Sequence, residues 1–147
     1  MRTLTKPLLA VIAALGCLAF APAPTVLVGA TESMGHVLTD TAGHTLYTYD
    51  RGLCAGACTD LRRPLRVAAG GTPTLPPGVA GTLGTTTRPD DGTLQLTYDG
   101  SPLYTYTGDT QPSETNGITL DWHVVPARYL PAESLSTAES KATTPPA

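Results

Sequence analysis

From Val37 onward the apolar residues fall in short runs of alternating polarity, each closed by Gly, Asp or Pro. A two-residue period places alternate side chains on opposite faces of a strand, and Gly/Asp/Pro punctuation marks the turns between strands. Residues 37–40 predict a first strand, Thr41-Ala42-Gly43 a turn, and residues 45–49 a return strand. Residues 81–88 predict a further strand that runs into Pro89-Asp90-Asp91-Gly92. Asp-Gly accepts the positive φ that tight hairpins require. Residues 93–98 form the partner strand, Asp99-Gly100 a second turn, and residues 103–107 the next strand. Residues 118–125 alternate most regularly, with Ile118, Leu120, Trp122 and Val124 on one face and Thr119, Asp121 and His123 on the other. Between these strands, residues 51–78 predict no clear strand. Thr59-Asp60 starts a helical turn that Pro64 ends. Helix-period apolar patterning is missing, so the expected fold class is all-β, a small antiparallel sheet domain.

The pattern also repeats. Leu46-Tyr47-Thr48-Tyr49 returns without a gap as Leu103-Tyr104-Thr105-Tyr106, each three residues after a glycine, Gly43 and Gly100. These tetrads hold four of the 6 tyrosines in the chain, so the domain reads as two related β-hairpin units.

Both ends of the chain read differently. Arg2 and Lys6 precede a nearly uninterrupted apolar stretch over residues 8–20, the layout of a secretory leader. The stretch is short of the about 20 residues a membrane-spanning helix needs. The reading assigns residues 1–30 to a signal peptide, 31–128 to the duplicated domain and 129–147 to a disordered Ser/Thr/Ala/Pro-rich tail. Two cleavage sites offer small-x-small residues. Ala19-Phe20-Ala21 has Pro22 unfavourably placed after the cut, and Val28-Gly29-Ala30 does not. A third route is lipidation of Cys17, where Ala14-Leu15-Gly16 resembles a bacterial lipobox with its leucine one place too close. The protein is expected to be exported, either free or held at the envelope by a lipid.

Charge narrows the partners. The chain carries 12 acidic and 9 basic residues, and two of the basic ones lie in the leader, so the exported part is acidic. Nucleic acid, whose binding rests on Lys/Arg contacts to phosphate, is not an expected partner. Arg51, Arg62, Arg63 and Arg66 form the basic cluster, read as a solvated loop face or a contact for an anionic envelope surface. No phosphate-cradling loop, nucleophile elbow or paired carboxylate is present, so the chain reads as non-enzymatic with no cofactor.

Two constellations remain. Tyr47 and Tyr49 leave one side of their strand, as do Tyr104 and Tyr106 of theirs. Paired, they make a four-tyrosine patch that suits stacking on a sugar or other flat ligand, with Asp109 beside it. The plainer reading makes them half-buried core aromatics and Asp109 a turn former. Cys54 and Cys58 are the cysteines that remain beyond the leader, and in an oxidising compartment a disulfide is the default. The sharper alternative is a redox pair or a copper site with His123 as third ligand. The other histidines, His36 and His44, flank the first hairpin.

Taken in order, Val37-Leu38-Thr39-Asp40, Leu46-Tyr47-Thr48-Tyr49, Cys54-Ala55-Gly56-Ala57-Cys58, Gly81-Thr82-Leu83-Gly84, Leu103-Tyr104-Thr105-Tyr106 and Trp122-His123-Val124-Val125 resemble the bacterial secreted-repeat lipoproteins, described by a Tyr-x-aromatic-x-x-Asp motif. The resemblance implies an exported envelope protein of a family whose biochemical role is not established. The second motif copy fits with Tyr104, Tyr106 and Asp109. The first has Gly52 at the aspartate position, with Asp50 nearby. Relatives tend to carry Trp-Pro-Pro-Leu after the cysteines, where this chain has Arg62-Arg63-Pro64-Leu65.

Overall fold

A computed structural model describes residues 23–131. Expectations for the leader up to residue 22, Cys17 included, and for the tail beyond residue 131 lie outside the described residues. Ten strands and one helical turn follow in order: β1 Leu27–Thr31, β2 Gly35–Thr39, β3 Tyr47–Tyr49, α1 Cys58–Leu61, β4 Arg62–Pro64, β5 Arg66–Val67, β6 Leu83–Thr87, β7 Leu94–Tyr98, β8 Ser101–Pro102, β9 Tyr104–Tyr106 and β10 Trp122–Val124. The fold is all-β and every strand pairing is antiparallel. No helix among the described residues is long and apolar enough to cross a membrane.

Of the expected hairpins, β6–β7 forms in full. The first keeps only the Thr39–Thr45 bridge, because β2 pairs with β1 and β3 pairs with β9 and β10. Past the Asp99-Gly100 turn, β7 pairs with the two residues of β8, and β9 joins β3 and β4 instead. That turn takes positive φ at both residues, 48° and 86°, as the Asp-Gly pair anticipates. Three further readings change. First, residues 51–78 do contain strands, β4 and β5. They are short, and β4 lies at the edge of the sheet ordered β10-β3-β9-β4. An edge position tolerates Pro64, which has no N–H to donate. Second, the helical turn begins at Cys58 with Ala57 as N-cap, and Arg62 and Arg63 have left it for β4. The Thr59 hydroxyl donates to the Gly56 carbonyl instead of capping. Third, β10 is only three residues long. Thr119 N–H bonds the Trp122 carbonyl in a turn, which leaves Leu120 94% exposed and Ile118 outside the core. The described residues before 31, placed with the leader by sequence, include most of β1, and Tyr129 at the far end bridges Val79.

The two repeats are interlocked. In each, a hairpin (β1–β2, β6–β7) leads into a tyrosine strand, β3 or β9. The strand after each tyrosine unit then crosses to the other repeat: β4 pairs β9, and β10 pairs β3. At the centre this exchange closes two rings of backbone hydrogen bonds. Leu38 N–H donates to Val125 (2.8 Å), Val125 to Leu46 (3.0 Å) and Leu46 to Leu38 (2.9 Å). Likewise Leu96 donates to Leu65 (2.8 Å), Leu65 to Leu103 (2.9 Å) and Leu103 to Leu96 (3.0 Å). Each ring takes one member from the partner repeat, and the ring side chains feed one aliphatic core with Val26 and Val79. Fully burying each such side chain contributes about 1.5–3 kcal/mol. The other face of the tyrosine sheet packs a second, aromatic core.

Candidate functional site

Tyr47 lies directly opposite Tyr104, so the two tetrads meet across the repeat axis. Strand alternation then places all four tyrosines on one sheet face, with Trp122 opposite Tyr49 and Arg62 opposite Tyr106. Arg62 therefore occupies in the first repeat the position that Trp122 holds in the second. This is the position where the resemblance described above implies a tryptophan, and the ladder explains what arginine does there. The Arg62 guanidinium lies over Tyr106 (4.3 Å), Trp122 (4.5 Å) and Tyr47 (5.5 Å). A planar cation fills the aromatic slot by cation–π contact. It is only 7% exposed, its Nη1 has no hydrogen-bond partner, and burial lowers its pKa. Trp122 in turn stacks on Tyr49 at 4.5 Å and meets Tyr104 edge-on at 5.1 Å.

The inner tyrosines are sealed. Tyr47 and Tyr104 are fully buried and their hydroxyls are committed. Tyr47 donates to Asp109 Oδ2 at 2.6 Å and accepts from Gly117 N–H at 3.2 Å. Burial, reinforced by the Asp109 bond, pushes its phenol pKa up, which keeps it a donor. Asp109, also buried, uses its other oxygen to accept the Asn116 N–H at 2.9 Å. It thus pins the 107–117 loop to the aromatic core, and its turn-forming role extends seven residues downstream. A side chain at Gly117 would run into Arg62 and the Tyr47 ring, so the loop approaches closely only because that residue is glycine.

Cys54 and Cys58 are joined by a disulfide with Cα atoms 5.5 Å apart, and Gly56 between them turns with φ +63°. The second repeat holds this loop from both sides. The Tyr104 hydroxyl accepts the Cys54 N–H at 3.0 Å, and Arg88 Nη2 donates to the Cys54 carbonyl at 2.9 Å. Arg88 is completely buried and also bonds Gln95 Oε1 (2.8 Å) and Asp90 (2.6 Å). Burial works against its charge, but the bond to Asp90 and the proximity of the Tyr104 hydroxyl outweigh it and raise its pKa. Sequence reasoning missed both Arg62 and Arg88. The departure from the tryptophan that the resemblance implies marked position 62, whereas nothing local marks Arg88, which sits at the end of an exposed-looking hairpin.

The cysteines and His123 are not brought together. Trp122 and its neighbour His123 leave β10 on opposite faces, and the exposed His123 Nε2 pairs with Asp50 at 2.8 Å. His44 pairs with Asp40 at 3.1 Å, and His36 meets Tyr129 edge-on at 5.9 Å. Among the described residues no three His, Cys, Asp or Glu side chains are grouped to hold a metal.

Of the four tetrad tyrosines, Tyr106 borders an open cleft of about 180 Å³, which His44, Arg63, Thr105, Thr107 and Asp109 complete. Its lining offers part of the Tyr106 side chain, two threonine hydroxyls, a guanidinium, an imidazole and a carboxyl group.

Residues 85–126 match the Lipoprotein_15 family model, described as a secreted repeat of unknown function. The match runs from within β6 to just past β10, which is the second repeat together with the strand it lends to the first. The description accords with an exported protein. No curated protein and no solved structure matches the chain.

Proposed function

We propose that the protein is an exported, non-enzymatic binding module of the cell envelope or extracellular space, whose cleft beside Tyr106 grips one hydroxylated unit of an extended ligand such as an envelope polysaccharide. The observation that carries this reading is the contrast within the tetrads: Tyr47 and Tyr104 are locked into the core, while Tyr106 keeps part of its ring at an open, polar-rimmed cleft. Size supports an extended ligand. Enclosed small-molecule sites run to about 300–1,000 Å³, more than this cleft holds. A shallow site of this size suits a single sugar ring, stacked on tyrosine and hydrogen-bonded by Thr105, Thr107 and Arg63. Cys54–Cys58 serves as a structural disulfide in this reading. A copper site needs Cys54, Cys58 and His123 to converge and thiol-redox chemistry needs a readily reducible Cys54–Cys58 pair, and no observation favours either over the binding reading.

The test is co-sedimentation of the exported protein with purified envelope polysaccharides, followed by titration with the fragment that binds. Arg63→Ala and Thr105→Val alter the rim without touching the buried tyrosines, and each is expected to weaken binding about tenfold, the effect of about 1.4 kcal/mol. Absence of binding to every envelope polymer, or unchanged affinity in both variants, would refute the proposal.

A further inference from the structure

The ordered domain begins well before the second of the two cleavage motifs. Val26 is fully buried in the aliphatic core. Just before it, Thr25 N–H donates to the Thr74 carbonyl (2.8 Å), Thr74 N–H to Thr25 Oγ1 (2.9 Å) and the Thr74 hydroxyl to the Ala23 carbonyl (3.0 Å). Leu27–Thr31 then forms β1, paired residue for residue with β2 from Leu27↔Thr39 to Thr31↔Gly35. Gly29 lies so close to Ser113 and Thr39 that a side chain there would have no room. The strand is thus packed on its inner side as well as paired along its edge. It is also the first-repeat counterpart of β6, where the family match to the second repeat begins.

We propose that the leader is removed upstream of Ala23, and that the Val28-Gly29-Ala30 motif is never the cleavage site. The step is hydrolysis of one peptide bond, with water supplying the hydroxyl of the new carboxylate and a hydrogen of the new amine. A cut after Ala30 would take Val26 out of the core and all of β1 except Thr31, leaving β2 an unpaired edge over the buried Val37 and Leu38. Processing near the Gly16–Cys17 bond would leave the domain whole. If Cys17 becomes the acylated first residue, the fold starts six residues later, a reach of at most about 20 Å at 3.3–3.6 Å per residue. The domain would then stand close against the membrane that holds the lipid.

The test is the intact mass and N-terminal sequence of the exported full-length product, from the wild type and from Ala30→Gln. Ala30 is an exposed position of β1, so the fold accepts glutamine there, while the bulkier residue blocks a small-x-small cut. The expected result is a first residue at or before Ala23 in both proteins, with the same processing and yield. A mass that includes a diacylglyceryl group would locate the cut at Cys17, and an unmodified mass would place it elsewhere upstream; both support the proposal. A mature chain starting at Thr31, an uncut leader, or loss of processing in Ala30→Gln would overturn it.

Discussion

The hydroxyl of Tyr47 holds the aromatic core to the loop that covers it, and its removal can be worked through quantitatively. Tyr47→Phe keeps the buried ring but deletes a donor to the Asp109 carboxylate (2.6 Å) and an acceptor for Gly117 N–H (3.2 Å). A hydrogen bond to a charged group is worth about 1.5–3 kcal/mol, and a buried amide left unpaired costs about 1–3 kcal/mol. Some water reaches the loop once it loosens, so the expected loss is about 3 kcal/mol, a large part of the roughly 5–15 kcal/mol of a domain this size. Tyr104→Phe makes the same chemical change at the symmetry-related position. It strands only the Cys54 N–H and a neighbour of Arg88, for about 1–2 kcal/mol. The two costs should therefore differ even though the tetrads are identical. Guanidinium unfolding followed by the fluorescence of Trp122, the single tryptophan, reads this directly because its ring sits in the cluster. At a slope of about 3 kcal/mol per molar, Tyr47→Phe should lower the midpoint by about 1 M. A cycle with Asp109→Ala should give a coupling of about 1.5–3 kcal/mol. A Tyr47→Phe protein within about 0.5 kcal/mol of wild type, or one less affected than Tyr104→Phe, would refute the reasoning.

Three further outcomes are expected. Arg88→Met should cost about 3–5 kcal/mol in the same assay, since it leaves two buried acceptors, Gln95 Oε1 and the Cys54 carbonyl, unpaired at about 1–3 kcal/mol each and removes the partner of Asp90 at the surface. Cys54→Ser/Cys58→Ser should cost only about 2 kcal/mol, because the closed loop is short, and the protein should still fold by circular dichroism. Acid should weaken the domain through three carboxylates whose pKa values are held below the usual range: Asp90 by Arg88, Asp91 by Thr93 and then Arg66, and Glu114 by the amides of Gln111 and Thr110. A depressed folded pKa gives stability that is complete above the unfolded values of about 3.9–4.3 and is lost as pH falls through the folded ones. Urea midpoints should therefore be flat from pH 7 to about 5 and fall below about 4, and Asp91→Asn should lessen the fall.

The β6–β7 hairpin, the Asp-Gly turns, the tetrad repeat and the disulfide were legible because each is local: period, turn chemistry and compartment decide them. The exchange of β4 and β10 was not, since no feature of Arg62-Arg63-Pro64 marks a strand apart from the edge position that tolerates its proline. Residues 118–125 show the opposite failure. Their alternation is the cleanest in the chain, yet the Thr119–Trp122 turn exposes Leu120. At the site, the alignment of four tyrosines on one face followed from the repeat and the strand period. Which of them are sealed depends on Asp109, Gly117, Arg62 and Arg88, and these reach the tyrosines only through loops and exchanged strands. Arg62 in particular looked like a solvated charge and is a buried ring-stacking group.

The two backbone rings also govern when this protein becomes a protein at all. Leu38 and Leu46 cannot complete their amide–carbonyl circuit until Val125 arrives, whereas Leu96 and Leu103 draw on Leu65, which belongs to the other repeat and precedes them in the chain. Neither half has a finished centre of its own, so no stable half-domain is expected. A chain that emerges N-terminus first keeps its first ring open until the strand that brings Val125 has emerged. Closure then joins residues from opposite ends of the domain, a slow search for a small fold. Such topology makes folding a single event that follows the emergence of the whole domain.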